Sequence, residues 1–98
     1  MLSVDKNERV TRTGPATAMG KVFRRYWLPA LLSSELPEPD GPPLRLELLS
    51  KRLLAFRDSA GKVGIISEYC PHRLASLFFG RNEEHGIRCA FHGWKFDV

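Results

Sequence analysis

Two short stretches that each combine a cysteine with a histidine are the features that most constrain how this chain can fold. The first reads Cys70-Pro71-His72, and the second reads Cys89-Ala90-Phe91-His92. The chain has two cysteines and three histidines, so four of these five side chains fall into two compact pairs. Thiolate sulfur and imidazole nitrogen together suit a tetrahedral zinc ion or a two-iron cluster. A fold that joins both pairs on one cofactor must bring two separate loops together.

The spacing within each pair bears on the choice of metal. Mixed zinc sites commonly use Cys-x2–4-Cys and His-x3–5-His spacings, and neither is present here. A cysteine and a histidine only two positions apart are too close in sequence to serve readily as two ligands of the same ion. They suit better a metal pair in which the sulfur reaches one iron and the imidazole reaches the other. A structural zinc site, and a coincidence of buried cysteines with unrelated histidines, stay open as alternatives.

Composition sets broad limits on the class of protein. The chain has 98 residues, which is enough for one small domain, and a net charge of +4. No basic run is longer than Arg24-Arg25, so nucleic acid is not an expected partner. No apolar stretch reaches the length of a membrane span, and the first residues lack a secretory signal. Two cysteines are too few for a disulfide framework, so we expect a cytoplasmic protein without a membrane partner.

The first 43 residues are predicted to form an N-terminal arm. Residues 1–16 are polar, and residues 17–27 can form one amphipathic helix with Thr17 as its N-cap and Pro29 as its stop. Residues 33–43 contain several prolines and acidic residues and are typical of an extended linker.

Residues 44–98 are predicted to form a small antiparallel β domain, so the fold class is mainly β with an N-terminal helical arm. Alternating apolar residues predict strands over 44–50, 51–58, 63–67, 87–91 and 94–98. Residues 58–62 are predicted to form a turn, and residues 70–86 a long loop region. The last predicted strand stops at Val98 in mid-alternation, which would leave an open edge. We therefore expect the domain to be truncated at its C-terminus.

The two motifs also resemble a known family. The stretches CPHR and CAFHGWKF are similar to the Rieske iron–sulfur domain of ring-hydroxylating oxygenases, and segments on both sides resemble large subunits of the phthalate dioxygenase group. The resemblance implies a [2Fe-2S] cluster with Cys70 and Cys89 on the inner iron and His72 and His92 on the outer iron. Leu74 is one departure, because many members have glycine there. It bears on the packing of the loop and leaves the ligands unchanged.

The resemblance also implies a function. Such a domain takes single electrons from a flavin/iron–sulfur reductase and passes them to a mononuclear iron that activates dioxygen for an aromatic substrate. Two of the three histidines are assigned to the cluster, so a two-histidine, one-carboxylate iron site cannot be assembled here. We expect no catalytic residue in this chain, a mononuclear iron beyond Val98, and a trimer-based homo-oligomer. A free-standing Rieske ferredoxin and a zinc-stapled binding module are the alternative hypotheses.

Three further residues near the motifs carry expectations of their own. His85 matches no ligand position and is expected to be solvated. Trp94 is expected to pack in the core. Arg73 would either orient a carboxylate at a subunit interface or lie in solvent.

Overall fold

The computed structural model describes residues 3–98, which form two short α-helices, six strands and two 3₁₀ turns. In chain order the helices and strands are α1 Val4–Thr11, α2 Ala18–Phe23, β1 Leu44–Leu48, β2 Lys51–Arg57, β3 Val63–Ser67, β4 Arg81–Glu83, β5 Gly86–Arg88 and β6 Lys95–Phe96. They divide into two compact units. One comprises the chain up to Ala30 together with Glu47–Lys51, and the other comprises Leu31–Leu46 and Arg52–Val98.

Helix α1 lies where the sequence predicts only a polar arm. Ser3 caps it, because its side chain accepts a hydrogen bond from the backbone N–H of Lys6 at 3.3 Å. None of the residues of this helix is buried. The sequence indicates this helix only through its polar ends, with Ser3 as the cap, Asp5 in the first turn and Arg9 in the last turn.

Helix α2 is shorter than the predicted helix over residues 17–27. Thr17 is the N-cap, as predicted, and accepts a hydrogen bond from the N–H of Gly20 at 3.1 Å. The helix ends at Phe23, because the N–H groups of Arg25 and Tyr26 bond three residues back and tighten the chain into turns.

The first unit is held together by a close backbone approach. Gly20 is buried, and a Cβ there would collide with the backbone carbonyl oxygen of Gly14. The guanidinium of Arg24 donates to the carbonyl of Thr13 at 3.0 Å and to the carbonyl of Leu49 at 2.8 Å. Gly20 and Arg24 thus hold the chain before α2 and the turn at Leu49 close to this helix.

Two small sheets confirm the mainly β fold class. The first has the order β1-β2-β3, with Leu54 of β2 opposite Ile66 of the antiparallel β3. The second has the order β4-β5-β6, with Ile87 opposite Phe96. Strand β4 and the start of β5 lie in the region predicted as a loop over 70–86, so that prediction is wrong for its last part.

The proline-rich stretch over residues 33–43 belongs to the second unit. Residues Ser33–Glu35 form a 3₁₀ turn. The guanidinium of Arg57 donates to the carbonyl of Leu36 at 2.6 Å and to the side chain of Ser33 at 2.8 Å. One arginine therefore fixes the path of this stretch, which the sequence had suggested to be a plain linker. The predicted domain boundary after residue 43 stays a prediction.

The core of the second unit includes both cysteines. Its buried members are Leu54, Phe56, Cys70, Leu77, Ile87 and Cys89. The residues packed against them are Ile66, Ala75, Phe78 and Phe96. Both thiols are therefore part of the packed interior and do not lie on an exposed loop. Within residues 3–98, no helix has the length and apolar character needed to cross a membrane.

Candidate metal centre

The two motifs form loops with the same backbone closure. We call Cys70–Ala75 the first loop and Cys89–Trp94 the second loop. The N–H of Cys70 donates to the carbonyl of Ala75 at 2.8 Å, and the N–H of Cys89 donates to the carbonyl of Trp94 at 2.7 Å. In each loop the fifth residue also donates to the carbonyl of the cysteine, at 2.7 Å in the first loop and 3.0 Å in the second. The two loops thus share one six-residue frame although their cysteine–histidine spacings differ.

The fifth position of the frame has a left-handed backbone in both loops. Gly93 has φ 77°, and Leu74 has φ 59°. Glycine adopts this conformation freely, whereas a leucine is disfavoured there by about 1–2 kcal/mol. Leu74, where the resemblance leads us to expect glycine, therefore has a backbone conformation that favours glycine.

The cysteines form the inner part of the site. Cys70 is 2% exposed and Cys89 is 4% exposed, and both are free thiols. The side chain of Cys70 is close enough to that of Cys89 to help lower the pKa of the Cys89 thiol. A buried pair of adjacent sulfurs, closed off from solvent by apolar side chains, can bind one metal centre without a competing water ligand.

The surroundings of Cys89 favour its thiolate. Desolvation by burial raises the pKa of this thiol, but hydrogen bonds from the N–H of Phe91, the thiol of Cys70 and the N–H of His92 together hold the pKa below its usual value. Metal binding requires a deprotonated cysteine, so these backbone donors prepare the second loop for it.

The histidines form the outer part of the site. His72 and His92 are both exposed, and their ring centroids lie 4.7 Å apart with the planes at 59°. Phe91 contacts His92 at 4.1 Å, and Trp94 lies on His72 at 4.4 Å. These four exposed rings form a continuous line that we call the aromatic row.

The donor set fits a cofactor with two metal centres. The two cysteines are buried in the core, and the two imidazoles are exposed and contact one another. Two thiolates for one iron and two imidazoles for the other is the donor set of a Rieske [2Fe-2S] centre.

Each loop is braced by polar side chains that the sequence analysis did not single out. Beside the first loop, the hydroxyl of Ser76 donates to the buried carboxylate of Glu68 at 2.7 Å, and Arg45 lies 3.4 Å from the same carboxylate. Beside the second loop, Arg88 donates to the carbonyl of Gly93 at 3.1 Å. For Glu68, Arg45 and Arg88, the only sequence signal was a charged residue near a motif or in a neighbouring strand.

The structure settles the position of two of the three remaining residues and corrects the third. His85 is exposed in the β4–β5 turn, in agreement with the expectation of a solvated side chain. Arg73 is exposed as well. Trp94 is 47% exposed, so the expectation that it packs in the core is wrong. Its ring lies flat on His72 at the surface, where it covers an imidazole.

Comparison with known proteins agrees with this geometry. The family described as "Rieske [2Fe-2S] domain" matches residues 26–98. The chain is 48% identical over 98 residues to the phthalate 4,5-dioxygenase oxygenase subunit of Pseudomonas putida, and covers 22% of that protein. It is 54% identical over 92 residues to the 3-chlorobenzoate-3,4-dioxygenase oxygenase subunit of Comamonas testosteroni; this match takes in 94% of the chain and 21% of that protein. The chain therefore spans about a fifth of the length of these relatives.

A solved structure shows the same fold. It is an oxygenase and ferredoxin complex of carbazole 1,9a-dioxygenase, 30% identical in sequence, with a TM-score of 0.60. The match covers 74% of this chain and 18% of that chain. The agreement of motif, fold and paired ligand geometry, together with a family match over most of its length, shows that the chain belongs to the Rieske [2Fe-2S] domain family.

Proposed function

We propose that the chain holds a [2Fe-2S] cluster through Cys70 and Cys89 on the inner iron and through His72 and His92 on the outer iron. The separation of the two pairs by burial supports this assignment, because the sulfurs lie in the core and the imidazoles are exposed. When bound, such a cluster takes up and releases one electron at a time. Because these imidazoles are exposed, an iron that they held would lie near the surface, where an electron can enter or leave.

The ligand charges set the redox range that we expect. Neutral imidazoles in place of two thiolates remove two negative charges, so reduction becomes easier. Rieske centres accordingly reach about −150 to +300 mV, compared with about −400 mV for plant-type ferredoxins. We expect the low end of this range. The chain has no spare cysteine for the extra disulfide of high-potential Rieske proteins, and Trp94 stands where those proteins have serine.

The wider function that we propose is electron relay within a ring-hydroxylating oxygenase. A flavin/iron–sulfur reductase would donate electrons to this domain, which would pass them to a mononuclear iron held by residues outside this chain. The names of the two relatives, both oxygenase subunits of dioxygenases, support this proposal, and so does the presence of ferredoxin in the related solved complex. We further propose an aromatic carboxylate as substrate, since phthalate and 3-chlorobenzoate are of that class. The trimer-based assembly and the cytoplasmic location stay predictions.

The proposed ligand set is tested first by metal content and spectra. The purified, anaerobically reconstituted protein is expected to hold two irons and two acid-labile sulfides, to absorb visible light, and to give an EPR signal on reduction. A colourless protein that binds zinc would support the alternative of a zinc-stapled module.

The coding sequence beyond position 98 tests the alternative of a free-standing Rieske ferredoxin. A stop codon would support a free-standing Rieske ferredoxin, and a further set of two histidines and one acidic residue would support the oxygenase.

A substitution of one outer ligand tests the assignment residue by residue. We expect His92→Cys to lower the reduction potential or abolish the cluster, because a thiolate adds a negative charge beside the iron. His85→Ala is the matched control, since this histidine is exposed and lies in the β4–β5 turn. Loss of the visible absorbance in His85→Ala would contradict the ligand assignment.

A further inference from the structure

Trp94 makes a contact between the two loops that differs in kind from the other contacts in the aromatic row. It belongs to the second loop, yet its indole lies on the imidazole of His72 in the first loop, with centroids 4.4 Å apart and planes within 3°. The two other contacts in the row are tilted, at 59° between His72 and His92 and at 54° between Phe91 and His92. His72 therefore has a flat aromatic surface against one face, and the contacts of His92 are all tilted.

A flat neighbour restrains a histidine ring in a way that the side chain itself does not. The torsion about the Cβ–Cγ bond of histidine has a broad energy profile, so rotamer preference alone leaves the plane of the ring loosely defined. Rotation of the His72 ring out of its plane would drive an edge into the indole, because the two rings are parallel and in contact. The stack thus supplies the restraint that the torsion lacks.

The backbone that carries the indole is held in place by hydrogen bonds. The backbone carbonyl of Trp94 accepts the hydrogen bond that closes the second loop, at 2.7 Å from the N–H of Cys89. The carbonyl of Gly93, just before it, accepts from Arg88 at 3.1 Å. Lys95, just after it, begins β6, which pairs with β5. The backbone is therefore held by hydrogen bonds on both sides of Trp94. The indole can thus restrain the His72 ring in the first loop.

We propose that Trp94 is a positioning residue that fixes the plane of the His72 imidazole from the opposite loop. This inference rests on the proposed assignment of His72 as a cluster ligand. The two imidazoles at the outer iron then differ in how they are held. The orientation of the His72 ring depends on Trp94, and that of the His92 ring does not.

The test is pulsed EPR of the reduced, iron-loaded protein, which records the nitrogen hyperfine couplings of the bound imidazoles. We expect Trp94→Leu to shift or broaden the coupling of one imidazole and to leave the other as in the unsubstituted protein. Trp94→Phe retains a flat ring and is expected to keep both couplings close to the original values. Phe91→Leu is the matched control, because Phe91 is an exposed aromatic residue of the same loop that contacts His92. We expect Phe91→Leu to leave unaltered the imidazole coupling that Trp94→Leu changes.

The outcomes separate this inference from the proposal on which it rests. Sharp, unshifted couplings for both imidazoles in Trp94→Leu would overturn the role of Trp94 while leaving the ligand assignment intact. If Trp94→Leu does not retain iron, Trp94→Phe decides, and a broadened coupling in that variant overturns the inference. A cluster that shows no imidazole coupling in the unsubstituted protein would remove the ligand assignment, and the inference with it.

Discussion

Leu74 adopts a backbone conformation that leucine disfavours, and nothing in its surroundings offsets the cost by burial. Its φ is 59°, and its side chain is 71% exposed. Gly93 takes the same place in the second loop with φ 77°. Two unrelated residues thus share one conformation, which indicates that the closure of the loop, and not the residue, sets the backbone at this position.

Replacement of this leucine by glycine is expected to stabilise the protein. In Leu74→Gly the left-handed backbone no longer carries its steric cost of about 1–2 kcal/mol. Part of that gain is lost because glycine makes the unfolded chain more flexible. We expect the free energy of unfolding of the iron-loaded protein to rise by up to about 1 kcal/mol, as measured by denaturant titration.

An equally exposed leucine serves as the control. Leu32 is also 71% exposed, but its φ is −83°, so glycine relieves no strain there. Leu32→Gly is expected to lower the free energy of unfolding by up to about 1 kcal/mol through the flexibility of the unfolded chain alone. A fall of the same size in Leu74→Gly would show that its backbone conformation carries no strain.

The identities of the two cysteines and two histidines were sufficient to predict that the two motifs meet, but they carried no information on the rings around them. The motif gave no sign that Trp94 would cover His72, since that contact depends on the relative placement of two loops. The sequence did give the correct expectation for His85, because the exposure of a polar side chain outside both motifs follows from its residue type without tertiary information.

At the scale of elements, the loops depend on side chains from neighbouring strands. Arg88 of β5 holds the carbonyl of Gly93, and Arg57 of β2 holds the chain that precedes β1. Arg57 alone donates to the carbonyls of Leu36 and Gly61 and to both oxygens of Ser33. A planar fork with several donors can serve partners in different directions, which a single ammonium group cannot.

We therefore expect Arg57→Lys to loosen the proline-rich stretch. The lysine ammonium can keep one or two of these partners, so the free energy of unfolding should fall by about 1–3 kcal/mol. Limited proteolysis should cut residues 31–43 faster than in the unsubstituted protein. Arg52→Lys is the matched control, because Arg52 is an exposed residue of the same strand. Equal proteolysis of both variants would argue against the role assigned to Arg57.

Alternating apolar residues predicted β3 with its observed bounds of Val63–Ser67. The strands predicted over 87–91 and 94–98 were too long, because the observed strands are Gly86–Arg88 and Lys95–Phe96 and the second loop occupies the residues between them. The β4–β5 hairpin was missed for a physical reason. Its turn consists of Glu84 and His85, both with positive φ, and such turns usually carry glycine or asparagine as their signal. Helix α1 was missed because all of its residues are exposed and its face shows no apolar stripe.

At the scale of the whole molecule, two of the proposed cluster ligands are also residues of the hydrophobic core. The two sulfurs belong to the core with Leu54, Phe56 and Ile87. A group that binds only the folded state adds its binding free energy to stability. For a chain of this size each kcal/mol corresponds to about 4–8 °C in the midpoint of thermal unfolding.

Removal of the cluster by a chelator under reducing conditions is expected to lower that midpoint by on the order of 10 °C. The comparison is calorimetry of the same preparation before and after treatment. Cys70→Ser, which lacks one proposed ligand, should unfold at a lower temperature from the start and respond little to the chelator. An unchanged midpoint in the treated unsubstituted protein would mean that the core does not depend on the metal.

The shared frame of the two loops has one more consequence. Its hydrogen bonds join the first residue to the fifth and sixth, so the number of residues in the ring is fixed while the histidine takes the third place in one loop and the fourth in the other. Insertion of a single alanine into either loop would preserve every sulfur and every imidazole in the sequence and still open the ring. A search for related centres that counts ring size as well as ligands would therefore reject chains that a ligand pattern alone would accept.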